Sequence, residues 1–506
     1  MSNLLPSAQI ALTIVILIWN IVLAGRIAQN RQAPRFFQAV SGLAALLLIP
    51  GVLLTIATST LITGRAVADM DWLWPAVLVL FAIQAVYALA RRLVSLVWGI
   101  PIAVYNIVLV TIGIVRYLVA HGHTPPDALV ALMAAQSLAM VLATLSPNVL
   151  ATPFFINMPM VSPAFPAVRP LTATFRLFMS LLALMWIVFI VVLGLPRAVV
   201  QLRNYEAHRR DQLRERPDAD FAVGLKILPD VASLPLPAAI HNDSALVDTM
   251  DVDAVCVVID PGASRAAIDS LARVLDYDRS DSTQLIAVIG YRGTLIPGLR
   301  HGRLNAAVRL ATLRQVMQKL QPDIVLPAED PYGSGERALG TLSPETWERY
   351  LTDAARLAKS IDRNVKVGVS ASSYRTNDST LYAWAESPRS PIDLVGFSFF
   401  PSPYVGGGIS TDTRTADRWM RVTPPVKDHW VFATGGYPLA YGERSQEVAV
   451  WQVLAWATDH PIIKGLVVYE AGDYGQARGL RAPNGRLRPV TAAVMRAIRG
   501  LRESAR

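Results

Sequence analysis

Phe221-Ala222-Val223-Gly224-Leu225-Lys226-Ile227-Leu228-Pro229-Asp230 is where the chain changes character. It reads as a short apolar strand running into a polar turn. A doubly wound open sheet usually carries a Gly-rich phosphate turn after its first strand, and Lys226 to Asp230 holds none. Toward the C-terminus, similar β-branched or apolar runs recur at 253–259, 284–290, 323–327, 365–370, 392–398, 429–434 and 464–469. Several are apolar throughout, as expected of parallel strands covered on both faces. Amphipathic stretches separate them, clearest at 344–361, where Ser343 offers an N-cap and Pro344 suits the first helical position. Trp347, Tyr350, Leu351, Ala354, Ala358 and Ile361 share one face there. The stretch 303–320 shows the same period through Leu304, Val308, Ala311 and Leu320, and helices are also expected at 264–276, 445–458 and 488–503. The first, fifth and sixth connections carry weaker patterns and read as loops with short turns. Eight βα units over 221–506 predict a C-terminal α/β domain of the (β/α)8, TIM-barrel type, for which about 250 residues are usual.

Toward the N-terminus the composition is different. The 506 residues are 53% hydrophobic and only 17% charged, with a mean hydropathy of +0.37. Ordinary soluble domains are about 25% charged. Apolar runs at about 9–25, 37–63, 72–90, 96–119, 127–146 and 171–195 approach the ~20 residues a helix needs to cross a bilayer. The first lacks a basic leader and is followed by further runs, so it reads as a span and not a signal peptide. Residues 1–197 are thus expected to form an all-α transmembrane bundle of about six spans, partnered by the lipid bilayer. Residues 198–220 read as a charged juxtamembrane helix ended by Pro217. The apolar segment 147–170 holds six prolines, Pro147 to Pro170, and predicts a re-entrant or interfacial loop.

Arg26, Arg31 and Arg35 in the first loop and Arg91 and Arg92 in the third place those loops in the cytoplasm. This predicts a multi-pass protein of bacterial inner-membrane type with an extracytoplasmic C-terminal domain. Arg197, Arg203, Arg209 and Arg210 after the last span pull the other way. Arg116 and Arg176 lie near span ends and can snorkel. Gln84, Asn106 and Gln136 lie mid-span, where interhelical hydrogen bonding accounts for them. No acidic residue lies inside the runs, Asp127 standing only at the first position of one, which lowers the case for proton-coupled transport. The net charge of +9 comes without a nucleic-acid recognition module and reads as a basic collar at a membrane surface. Cys256 is the only cysteine and lies in an apolar run, so no intrachain disulfide is possible.

In a barrel, function gathers where strands end and βα loops begin. The residues found there are Lys226, Asp260, Tyr291 with Arg292, Glu329-Asp330-Pro331-Tyr332, Ser370 to Tyr374, Phe400 to Tyr404, Thr434 to Pro438, and Tyr469-Glu470 with Asp473 and Tyr474. The seven histidines form no recognisable metal-ligand set. No Walker-type loop or serine elbow is present, and no metal or cofactor is expected. A carboxyl at a strand end is as often an N-cap or an ion-pair partner as a catalyst, and a tyrosine there is as often packing as a sugar platform.

The order of these turns resembles the retaining glycoside hydrolases built on (β/α)8 barrels. Ala328-Glu329-Asp330-Pro331 stands where that superfamily ends strand 4 in Asn-Glu, often before Pro. The resemblance therefore makes Glu329 the general acid/base, with Ala328 departing from the Asn. Val395-Gly396-Phe397-Ser398-Phe399-Phe400-Pro401 looks like its strand-6 pattern. Glu470, Asp473, Gly479-Leu480 and Gly485-Arg486-Leu487-Arg488-Pro489 look like its closing segment. One departure matters: aligning Gly436-Tyr437-Pro438 with the turn after strand 7 puts Thr434 in the place of the nucleophilic Glu. Glycoside hydrolysis normally needs two carboxyls. Asp260, Asp330, Glu470 and Asp473 are candidates for the second, with Glu470 or Asp473 activating water. Asp260, Tyr291, Arg292, Asp330, Tyr332, Tyr374, Tyr404, Thr434, Tyr437, Asp473 and Tyr474 are the expected glycan-contacting set. The Gly406-Gly407-Gly408 run suggests a lid. The expectation is a membrane-anchored protein that binds or processes a cell-surface polysaccharide, catalytically altered or inactive, beside a synthesis or export system. The alternatives are an active glycosidase or transglycosidase with a non-standard second carboxylate, and a structural subunit of a membrane complex.

Overall fold

The computed structural model describes residues 4–57, 70–121, 123, 125–135, 158–164, 170–196, 199–200, 212–231, 237–278, 283–291, 302–400, 409–438, 442–474 and 478–504. The N-terminal region is helical: α1 Leu4–Gln29, α2 Arg35–Ala57, α3 Leu73–Ala90, α4 Leu96–Ala120, α5 Asp127–Ala135 and α6 Pro170–Val188, which runs on into a π-helical turn at Phe189–Gly194. Three of these contain stretches long and apolar enough to cross a membrane, Arg35–Leu54, Leu73–Ala90 and Leu96–Val119. Their outward faces are apolar: Leu46 is 71% exposed and Val97 69%. Water would penalise such a surface, whereas lipid would not.

Inside this bundle lies a buried non-helical segment, Met158 to Ala164. Irregular backbone in an apolar setting must find hydrogen-bond partners within the protein. Here three helix amides supply them. Asn20 donates to Pro159 O at 2.6 Å and accepts from Val161 N at 2.8 Å. Asn106 donates to Met160 O at 2.7 Å and accepts from Met160 N at 3.0 Å. Gln84 accepts from Ser162 N at 2.9 Å. The Tyr105 hydroxyl and the Trp19 indole donate to Met158 O and Val161 O. The mid-helix Gln84 and Asn106 therefore bond to this inserted segment. Of the proline-rich stretch, 147–157 and 165–169 lie outside the described residues, as does Gln136.

The C-terminal region is a closed parallel barrel with strands in sequence order. They are β1 Ala222–Lys226, β2 Ala254–Ile259, β3 Gln284–Ile289, β4 Ile324–Leu326, β5 Lys366–Ala371, β6 Leu394–Phe399, β7 Asp428–Thr434 and β8 Ile463–Val468. Closure comes from β1 pairing with β8, Val223 opposite Leu466 and Leu225 opposite Val468. Alternate residues fill the interior, with Cys256, Val258, Ile286, Leu326, Trp430 and Tyr469 packed in one cluster. The others face the surrounding helices.

Those helices are α7 Pro237–Met250, α8 Arg265–Asp278, α9 Ala306–Lys319, α10 Ser334–Leu339, α11 Pro344–Ile361, α12 Thr376–Glu386, α13 Ile409–Val422, α14 Glu443–Thr458 and α15 Pro489–Ser504. Three differences from expectation stand out. The first, fifth and sixth connections are the helices α7, α12 and α13. The amphipathic pattern of α7 and α12 is weak, while that of α13 is clear; α12 is supported by buried Asp378, which accepts from the N–H groups of Ser372, Ser373 and Tyr374. Second, α9 buries Arg309, Thr312, Leu313, Val316 and Met317, while Val308 is exposed. A buried arginine rotates the face away from the one the apolar residues mark. Third, residues 212–216 are not helical. The Arg216 guanidinium reaches in from them to the carbonyls of Thr458, His460, Pro461 and Ile463. Residues 201–211 lie outside the described residues.

Candidate active site at the mouth of the barrel

Glu329 sits just beyond β4, and its backbone is fixed from two sides. Its N–H donates to Ile289 O at the end of β3, and its carbonyl accepts from the Tyr291 hydroxyl at 2.8 Å. Behind it the Arg309 guanidinium donates to Ile289 O, Gly290 O and Pro327 O at 2.8–3.0 Å. That guanidinium also lies over the Tyr291 and Tyr350 rings. Gly335 is a glycine of necessity here, since an added Cβ would stand 2.7 Å from the Tyr291 hydroxyl. Glu329 itself is only partly buried. Burial, then the negative charges of Asp330 and Asp230, push its carboxyl up to about 7, while Arg478 and Arg337 pull the other way. A carboxyl protonated near neutrality on an accessible rim can deliver a proton to a leaving group.

Around it runs a connected set of charges and rings. Lys226, at the end of β1 and 1% exposed, donates to Glu470 Oε2 at 2.7 Å and lies 3.0 Å from Asp230 Oδ1. Burial opposes its charge, but Asp230 and Glu470 outweigh this and hold the ammonium above the usual lysine range. The other oxygen of Glu470 has Arg478 Nε at 3.6 Å. The Arg478 guanidinium lies over the Phe400 and Tyr469 rings at 4.7 and 5.1 Å, and it hydrogen-bonds the Tyr437 hydroxyl. Glu470 is thus held between two cations and 1% exposed, whereas the Asp230 side chain is 54% exposed. Lys226 was noted in the sequence at a strand end but not placed in the glycan-contacting set, and Asp230, Arg337 and Arg478 were not singled out. Their signal was position alone: each lies in or just after a stretch that follows a strand end.

The remaining expected residues divide. Asp330, at a left-handed φ of 24°, is buried and accepts from the Ser370 and Ser398 hydroxyls at 2.7 and 2.6 Å, which ties β4 to β5 and β6. Tyr374 stacks on Phe399 and donates to Ser398 O. Tyr332 is buried in the cluster between barrel and helices. Asp260 is buried beside Gly290, at the ends of β2 and β3. Thr434 is fully buried, and its hydroxyl has no hydrogen-bond partner among the described residues. Asp473 is committed to Arg488, with both oxygens paired at 2.8 and 2.7 Å, and it accepts from Gly479 N. Tyr474 donates to Asp243, which is itself paired with Arg481. The geometry therefore gathers Glu329, Glu470, Asp330 and Tyr437 with Lys226, Asp230 and Arg478, and gives Asp473 and Tyr474 structural partners. Arg292, Tyr404 and the Gly406–Gly408 run lie outside the described residues. Among those residues no group of His, Cys, Asp and Glu is placed to hold a metal.

No family model matches this chain, and no curated protein does. Its structural neighbours are glycoside hydrolases. A GH5_18 variant from Bifidobacterium longum subsp. longum, in complex with Manb1-4GlcNAc, is similar over 55% of this chain and 78% of that one, at 10% identity and a TM-score of 0.45. The β-glucuronidase of Ruminococcus gnavus, in complex with D-glucuronic acid, is similar at 9% identity and a TM-score of 0.40 over 54% of this chain. The β-glucuronidase of Bacteroides uniformis is similar at 12% identity and a TM-score of 0.41. The matched region spans 48% of the R. gnavus chain and 34% of the B. uniformis chain.

Proposed function

We propose that this chain is a membrane-anchored, glycoside-hydrolase-like protein that takes a glycan at the barrel mouth, with Glu329 as its proton donor and a second carboxyl unlike that of the retaining pattern. The observation that carries the reading is Glu329 itself: a partly exposed carboxyl at the rim after β4, its backbone fixed by Ile289 and Tyr291, between the cations Arg478 and Arg337 and the anions Asp330 and Asp230. Asp230 is the second carboxyl we assign, because it is solvent-accessible and electrostatically coupled to Glu329. Glu470 is sealed against Lys226 and Asp473 against Arg488, so neither is free to activate water. In this scheme Glu329 protonates the glycosidic oxygen while Asp230 takes a proton from the attacking water. This single displacement inverts the anomeric centre and needs room for the water, about 6.5–9.5 Å between the two carboxyls; at about 5–5.5 Å Asp230 would instead attack the anomeric carbon itself and the outcome would be retention. The membrane anchor, the extracytoplasmic side and a place beside a polysaccharide synthesis or export system belong to the same proposal.

A second reading, binding without cleavage, is favoured by Thr434, whose buried hydroxyl has no base beside it to activate it. One experiment separates the two. The full-length protein in detergent is incubated with a panel of bacterial surface glycans, and released reducing ends are measured for wild type and Glu329→Gln. Cleavage by wild type that falls at least 100-fold in the variant supports the enzyme. Binding of a glycan that neither protein cleaves supports the binding reading. Cleavage unchanged by the substitution removes Glu329 from the mechanism.

A further inference from the structure

The rim that carries Glu329 is also where the barrel meets the helical bundle. Tyr437, three residues past β7, is 4% exposed and belongs to the same hydrophobic cluster as Met158, Met160 and Ala164 of the inserted segment, and Phe400, just past β6, packs against that cluster. Gly442, at the start of α14, comes so close to α5 that an added Cβ would stand 3.2 Å from Val130 Cγ1. The bundle therefore walls the β6–β7 side of the mouth. Across the mouth, the Asp230 side chain is 54% exposed and Glu329 is partly exposed. Between the two sides runs an unbroken series: Tyr437 to Phe400 at 6.3 Å, Phe400 to Arg478 at 4.7 Å, Arg478 to Glu470 at 3.6 Å, and Glu470 to Lys226 at 2.7 Å.

A mouth with one polar, wetted side and one side made of membrane helices suits an amphiphile. Resting on the glycan reading above, we propose that the substrate is a lipid-linked glycan: its sugar lies against Glu329 and Asp230, and its apolar tail runs past Phe400 and Tyr437 along the bundle. A free, soluble polysaccharide would gain nothing from having the rim pressed against these helices. A tail held in the bilayer would also confine the sugar near the rim and raise its effective concentration there.

The test uses the full-length protein in nanodiscs of phosphatidylethanolamine and phosphatidylglycerol. Each glycan of a surface-glycan panel is offered in two forms, as its methyl glycoside and on an isoprenoid tail, with partition into empty discs subtracted. The expected result is at least ten-fold tighter binding of the tailed form for the glycans that bind. A diazirine on the first tail carbon should label residues around Phe400, Tyr437 or Met158 to Ala164. Equal affinity of the two forms, or labelling confined to the outer faces of the helices, overturns the lipid-linked substrate and leaves the glycan reading standing. Failure of every glycan in both forms overturns both.

Discussion

A carboxyl that titrates near neutrality makes both chemistry and folding depend on pH in the working range. Glu329, pushed up to about 7 by burial and by Asp330 and Asp230, must be protonated to act as an acid, so turnover is expected to fall as pH rises through about 7. Asp230→Asn removes one of the negative neighbours. The variant should lose cleavage while keeping glycan binding, and the titration of Glu329, read by carboxyl-specific infrared bands, should move to lower pH. Folding is linked with a definite sign. The folded state holds the proton more tightly than an unfolded glutamate, so stability is full below the ordinary carboxyl range and declines as pH rises through about 7. Glu329→Gln should therefore melt above wild type at pH 8 and match it near pH 5; a melting difference that is the same at both pH values would refute the raised titration. The place of Glu329 just after the fourth strand was legible in the sequence. Asp473 was a candidate there for the second carboxyl. Its partner Arg488 comes fifteen residues later, and only the folded chain brings them together. Asp230 was passed over because a lone Asp after a Pro reads as turn chemistry.

Helices set the accuracy of the rim. Arg309 projects from α9 under the ends of β3 and β4 and is the common donor to three carbonyls there. Arg309→Met should leave those carbonyls unsatisfied and cost about 2–4 kcal/mol, seen as a lower melting temperature. Because Arg309 acts through the Glu329 backbone, kcat should fall by more than KM rises. A stability loss with kcat intact would make it a strut only. The strand positions were readable in advance because continuous β-branched runs have few alternatives in a parallel barrel. The face of α9 was misread, because a rule based on apolar periodicity cannot foresee a buried guanidinium paid for by three carbonyls and two aromatic rings. The weak helices α7 and α12 were missed for a related reason: tertiary packing and side-chain bonds such as those of Asp378 hold them more than their own pattern does; α13 is clearly amphipathic, and its period was overlooked.

At the scale of the molecule, the bundle and barrel are joined through a few buried groups. Asn106 alone satisfies both the N–H and the carbonyl of Met160. Asn106→Leu should cost on the order of 2–4 kcal/mol and raise hydrogen exchange at residues 158–164 in nanodiscs, while exchange in β1 to β8 stays slow. Fast exchange throughout would mean that the two regions do not melt separately. Three helices long and apolar enough to cross a membrane and the eight strands were visible in composition and period, whereas the meeting of rim and bundle was not, because Tyr437 and Met158 are far apart in the chain and no local pattern links them. The barrel carries one further consequence. Its single cysteine, Cys256, is sealed among interior side chains, and burial pushes its thiol up to about 12, so maleimide should not touch it while the strands stay closed. Alkylation of the purified, unmodified protein in nanodiscs is then a clock for whole-barrel opening, with no engineered label and no second thiol in this sequence to subtract.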